Sequence, residues 1–214
     1  MKRVIFYFDG FNFYNGLKRA MKADPRWLRA YWIDMVKLCE QFTGGDQVVE
    51  KVVYFTASPL STSKTIRQSA FLNANKALNG ERFEIVRGKY MGKEIECPYC
   101  KAHISKPEEK RTDVNISVRM IADAVADNAD IFSLVSADSD LIPPINYIRA
   151  NFPNKQVKVY FPPTNFSHDI RDLLLIDRRA PILMKKSFYF FDRAHMEDSI
   201  ENDGEQFNCP DSWK

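Results

Sequence analysis

Met1-Lys-Arg-Val4-Ile5-Phe6-Tyr7-Phe8-Asp9-Gly10 is the stretch on which the fold turns. Five consecutive apolar residues stop abruptly at an acid and a glycine. An unbroken run of this kind reads as a strand covered on both faces, and such strands belong to parallel sheets packed between helices. Comparable runs at 48–56, 83–86, 131–135 and 157–161 give about five strands, spaced so that helices fit between them. Val114, Val118, Ile121, Ala122 and Val125 recur at helical spacing, and 66–78 carries Ile66, Ala70, Phe71, Ala74 and Leu78 on one side. Both helices are expected to cover the sheet. Asp34 would cap a further helix running to about residue 42 and closed by Gly44-Gly45, which makes the first crossover long. The expected class is α/β: a Rossmann-like parallel sheet with helices on both faces.

A chain of 214 residues with 45% hydrophobic content can bury one substantial core and is short for two domains. A net charge of +3 argues against a nucleic-acid-binding tail, so any such affinity must come from a local patch. No apolar run approaches the roughly 20 residues of a membrane span, and the first residues lack a signal-peptide pattern. A cytoplasmic protein with no membrane partner is expected. Cys39, Cys97, Cys100 and Cys209 are too few for a disulfide scaffold and are expected to be reduced thiols. After Arg179 the texture changes. Residues 181–191 read as a strand, and 197–214 hold six acidic residues against one basic. That end is expected to be an appendage, either a solvated tail or a segment packing back through Phe207 and Trp213.

Asp9 follows the first strand, and Asp138 lies three residues beyond Val135. Both leave the sheet at carboxyl ends, where the ligand crevice of an open α/β sheet lies. They converge if the two strands are neighbours. Asp113 and Asp140 stand at helix starts, Asp140 just ahead of Pro143 and Pro144, which early helical positions tolerate. Capping explains either one singly. Four carboxylates gathered together would repel and raise one another's pKa unless a cation compensated, and a hard, oxygen-ligated ion such as Mg²⁺ or Mn²⁺ is suited to that. There is no phosphate-cradling glycine loop and no dinucleotide fingerprint. A phosphatase of the haloacid dehalogenase type would need a second acid where Phe11 stands.

Phe8-Asp9-Gly10-Phe11-Asn12-Phe13-Tyr14, Lys110-Arg111-Thr112-Asp113-Val114-Asn115 and Val135-Ser136-Ala137-Asp138-Ser139-Asp140 together resemble an NYN domain of the LabA-like branch of the PIN-like nucleases. The resemblance runs from about Lys2 to Ile176 and places three motifs in the right order. It implies a metal-dependent ribonuclease fold in which Asp9, Asp113, Asp138 and Asp140 bind Mg²⁺ or Mn²⁺ and carry catalysis. Asn12 would help hold the ion or a substrate phosphate, and Thr112, Asn115 and Ser136 would support the site. Hydroxyls and amides fit such a place because they orient carboxylates or bind phosphate oxygens without adding charge. With no Ser-His arrangement present, the expected nucleophile is metal-activated water hydrolysing an RNA phosphodiester. The domain expected is 1–178, followed by the appendage 179–214.

Lys89, Lys93, Lys101, Lys106, Lys110 and Arg111 concentrate positive charge in the connection leading to Asp113, which suits the backbone of single-stranded or looped RNA. Interleaved Glu94, Glu96, Glu108 and Glu109 fit equally a solvated charged loop. Phe11, Phe13 and Tyr14 would either stack on bases or fill the core. Within the same connection, Cys97-Pro-Tyr-Cys100-Lys-Ala-His103 offers three Zn²⁺ ligands in a small insertion at 91–109. The fourth would come from Cys39, Cys209, His168, His195 or a neighbouring copy in a homodimer. The leading expectation is a divalent-metal-dependent endoribonuclease. The alternative is a catalytically weak RNA- or protein-binding module on the same fold.

Overall fold

In β1 (Lys2–Asp9) Val4, Phe6 and Phe8 enter one hydrophobic core and Ile5 and Tyr7 enter another. Two-residue alternation thus buries both faces of the strand. The computed structural model describes residues 1–101 and 103–214, with the side chains of 90–95 and 104–110 outside the description. After β1 come α1 (Gly10–Ala23), a 3₁₀ segment (Pro25–Tyr31), α2 (Met35–Gln41), β2 (Gln47–Thr56), α3 (Thr62–Asn79) and β3 (Phe83–Arg87). A hairpin, β4 (Lys89–Glu96) and β5 (His103–Lys110), leads to α4 (Thr112–Val125), β6 (Ile131–Val135), α5 (Ile142–Asn151), β7 (Gln156–Phe161) and α6 (His168–Leu175). The chain ends with β8 (Ile182–Leu183), α7 (Phe188–Arg193) and a second hairpin, β9 (Ser199–Asn202) with β10 (Glu205–Asn208).

The main sheet has six strands in the order β3-β2-β1-β6-β7-β8, all parallel, with helices on both faces. β1 pairs with β2 on one side and β6 on the other, so strand order reverses at β1 and a crevice opens at the carboxyl ends of β1 and β6. One core lies between the sheet and α1, α2 and α3, the other under α4, α5 and α6. As expected, Asp34 caps α2, accepting from the amides of Val36 and Lys37. Pro143 and Pro144 sit in the first turn of α5. Among the described residues no helix is long and apolar enough to cross a membrane.

Three expectations need correction. In α4 the buried face is Ile116, Met120, Asp123 and Ala124, whereas Val114, Val118 and Val125 are exposed. Both stripes have helical spacing. The buried one is chosen by Asp123, which accepts from the Tyr7 hydroxyl at 2.9 Å, from Arg119 Nε at 2.8 Å and from Asn128 Nδ2 at 2.8 Å. In α3, likewise, Phe71, Leu72, Ala74 and Asn75 are buried while Ile66 and Leu78 face out. Asn75 is held inward by bonding the Met35 amide and the Ile33 carbonyl.

The third concerns the chain after Arg179. Of residues 181–191 only Ile182–Leu183 is a strand, and Phe188 and Phe191 form an apolar helical stripe whose rings lie 5.0 Å from Trp27. Met184, Phe191, Ala194, Met196, Ile200 and Cys209 all enter the first core, and Phe207 and Trp213 pack against it. The acidic residues of this end face outward along a hairpin whose apolar positions are anchored.

Candidate metal centre

Asp9 ends β1 and caps α1: its Oδ1 accepts from the Asn12 amide at 2.9 Å. Gly10 must be glycine there, because a Cβ would stand 2.5 Å from the Phe55 carbonyl oxygen and 2.7 Å from the Tyr54 ring. Across the crevice, Ser136 follows β6. Its hydroxyl donates to Asp9 Oδ2 at 2.9 Å and accepts from the Asp138 amide at 3.1 Å. One hydroxyl therefore sets two carboxylate-bearing loops in register. Asp138 in turn caps the short turn Ser139–Leu141, accepting from the Asp140 amide at 3.0 Å. Asp113, second residue of α4, reaches the same edge because the β4–β5 hairpin leaves from the end of β3 and returns.

Asp9, Asp113 and Asp138 each offer an oxygen within 4.8 Å of the others. Asp9 is buried, while Asp113 and Asp138 are partly open to solvent. Burial first, then the charges of Asp138 and Asp140, pushes the Asp113 carboxyl above its ordinary value. Asp140 stands exposed beside the trio, contributing charge. Carboxylate oxygens gathered this closely repel one another, which a divalent cation relieves, so the donor set fits a hard ion.

The remaining expected residues divide. Asn12 acts as a clasp: its side-chain oxygen accepts from the Ala137 amide at 3.2 Å and from Asn165 Nδ2 at 2.5 Å. Thr112 is buried at the start of α4 and Asn115 is half-buried one turn on. Arg111 is exposed and holds a left-handed backbone, φ 77°, where the hairpin turns into α4. The Lys93, Lys106 and Lys110 side chains lie outside the described residues. Phe13 is core, 5.1 Å from Phe8, whereas Phe11 and Tyr14 are exposed.

Sequence reasoning missed Asn165. It also bonds the Asn12 carbonyl oxygen at 2.9 Å, and Gly16 packs so closely on its loop that a Cβ would lie 2.5 Å from the Pro163 carbonyl oxygen. The available signal was Pro162-Pro163-Thr164-Asn165 directly after β7, a third strand end on the same edge.

Cys97 and Cys100 occupy the turn of the β4–β5 hairpin, a paired ribbon rather than a loop, and His103 opens its second strand. Amides of Cys100 and Tyr99, with the Cys100 side chain, hold the Cys97 thiol below its ordinary value. Among the described residues only the three aspartates form a group of three metal-ligating side chains, so Cys97 and Cys100 meet without His103 completing a threefold set. Cys39 and Cys209 are sealed in the first core, where burial raises both thiols, that of Cys209 to about 11. His195 bonds the Arg29 carbonyl oxygen and His168 lies against Phe166.

A family model described as NYN domain matches residues 3–174. A curated relative, 24% identical over 184 residues, is 6-hydroxy-3-succinoylpyridine 3-monooxygenase of Pseudomonas putida (strain DSM 28022 / S16). That match covers 70% of this chain and 56% of the relative, so the chain spans little more than half its length. Among solved structures, a protein of unknown function from Vibrio parahaemolyticus RIMD 2210633 superposes with a TM-score of 0.53 at 20% identity. It covers 80% of this chain and 88% of its own, a likeness of fold.

Proposed function

The chain belongs to the NYN domain family of the PIN-like nuclease superfamily, and from that premise we propose that it is a divalent-metal-dependent endoribonuclease. The observation that carries the reading is the meeting of Asp9, Asp113 and Asp138 at the carboxyl edge of β1 and β6. These three would hold Mg²⁺ or Mn²⁺. Bound there, such an ion supplies Lewis-acid chemistry, acidifying a water and offsetting charge on phosphate oxygens. Asp140 deepens the negative potential that recruits the cation. Ser136, Asn12 and Asn165 keep the carboxylates in place, so little reorganisation accompanies reaction. Lys110, Arg111, Thr112 and Asn115, leading into Asp113, would bind the phosphates of single-stranded or looped RNA. Residues 1–178 would form the nuclease unit, akin to the LabA-like branch and acting in the cytoplasm, with 179–214 bracing it.

The test is cleavage of end-labelled single-stranded RNA in Mn²⁺, in Mg²⁺ and in chelator. Cleavage is expected with either ion and to fall at least about 100-fold in Asp9→Asn and in Asp138→Asn, the scale of loss when a group that stabilises transition-state charge is removed. Cleavage surviving both substitutions would trace the activity to a contaminant. Binding without cleavage in any metal would instead make the chain an RNA-binding module.

A further inference from the structure

Beside the carboxylates lies a cavity of about 360 Å³ that none of the four aspartates lines. Its wall begins at Gly10, the residue after Asp9, so the two sites are neighbours along the same edge of the sheet. Helix α1 presents Phe11, Tyr14 and Lys18 to it, spaced three and four residues apart on one helical face. The first turns of α3 present Lys64 and Arg67 from the other side. The back is an aromatic tier: Tyr14 lies 5.5 Å from Tyr31, and Tyr31 stacks on Trp213 at 5.5 Å with an interplanar angle of 17°. The volume falls in the range, roughly 300–1,000 Å³, in which small organic ligands are held.

The lining joins two chemistries. Aromatic faces dominate it, yet it carries three cations and no carboxylate. None of Lys18, Lys64 and Arg67 makes an ion pair among the described residues, whereas Arg26, Arg29 and Arg82 near the same core are paired with Asp24, Asp192 and Glu40. A cavity for an apolar side chain would not need unpaired cations, and a bare phosphate patch would not need an aromatic back wall. The ligand satisfying both is a planar ring carrying an adjacent anion.

The geometry points to a nucleotide subsite: the cavity takes the base of an unpaired nucleotide next to the scissile phosphate, stacked against Tyr14 and Phe11, with its phosphate held by Lys64 and Arg67. This deepens the ribonuclease reading and rests on it. It gives the enzyme a reason to act on unpaired strands, since a base in a duplex cannot enter. Stacking faces are tolerant of sequence, and Asn15 at the rim supplies an amide that can bond a base edge. Trp213 lies outside residues 3–174, the part matched by the family, so the subsite is completed by this chain's own C-terminal segment.

Calorimetric titration of the full chain in chelator separates this inference from the cleavage reading, because no turnover is required. Adenosine 5′-monophosphate and uridine 5′-monophosphate are expected to bind about tenfold or more tighter than ribose 5-phosphate, the value of one base stack. Tyr14→Ala should erase that difference, and Lys64→Ala should weaken both nucleotides while a thermal melt shows the fold intact. Ribose 5-phosphate binding as tightly as the nucleotides would reduce the site to a phosphate patch and overturn the proposal. So would equal binding of nicotinate, which would mark a pocket for small aromatic acids, or a Tyr14→Ala titration indistinguishable from wild type.

Discussion

Ser136 shows how much one hydroxyl can organise. It touches Asp9 on one loop and the Asp138 amide on the other, so it holds two members of the carboxylate trio without carrying charge. Groups that orient metal ligands commonly account for 10- to 100-fold in metal affinity or activity. Ser136→Ala should lower Mn²⁺ affinity by about that factor, read by calorimetry, while costing only about 1–3 kcal/mol of stability for the unpaired partners left behind. Unchanged affinity would mean that the loops keep their register without it. The sequence made Asp9 and Asp138 legible because Asp9 directly follows, and Asp138 lies three residues beyond, a strand that ends abruptly. For Asn165 the strand end was visible but its partner Asn12 was not, since that contact depends on β7 lying beside β6, which no spacing along the chain reveals.

At the scale of elements, the central pair β1 and β6 is tied at its amino end by Arg3, whose backbone amide and guanidinium both bond Asp130, at 2.7 Å and 3.0 Å. The Arg3 side chain, then its amide, holds the Asp130 carboxyl down at about 2. A carboxyl depressed on folding contributes stability above its unfolded value, near 4, and loses it as pH falls toward 2. Wild type should therefore exceed Asp130→Asn in stability at pH 7, with the gap closing between about pH 4 and pH 2 in an acid-unfolding series. A gap constant across that window would remove Asp130 from the acid response. The strands β1, β2, β3, β6 and β7 were readable from apolar runs, whereas the hairpins β4–β5 and β9–β10 were not. The buried faces of α3 and α4 were not, because Asn75 and Asp123 turn inward to polar partners, and counting apolar positions ignores such contacts.

Over the whole molecule, the C-terminal segment is part of the first core rather than an ornament. Residues beyond Arg193 bury Ala194, Met196, Ile200 and Cys209, and the Met196 amide bonds the Trp32 carbonyl oxygen in the first crossover. Removing everything after Arg193 should cost on the order of 5 kcal/mol, from a few buried side chains at roughly 1.5–3 kcal/mol each. A urea midpoint unchanged by that truncation would contradict the packing described. Its surface charge hid this in the sequence: six acids in 197–214 mask the few apolar residues that anchor it.

The order of strands also has a consequence for the chain during its own synthesis. Asp9 is made early, but its partner Ser136 comes 127 residues later, and β1 cannot be closed on its second side until β6 exists. At about 5–20 residues per second, that leaves the first carboxylate without its counterparts for roughly 6–25 s on the ribosome. The proposed ribonuclease is then incomplete while still tethered to the message that encodes it.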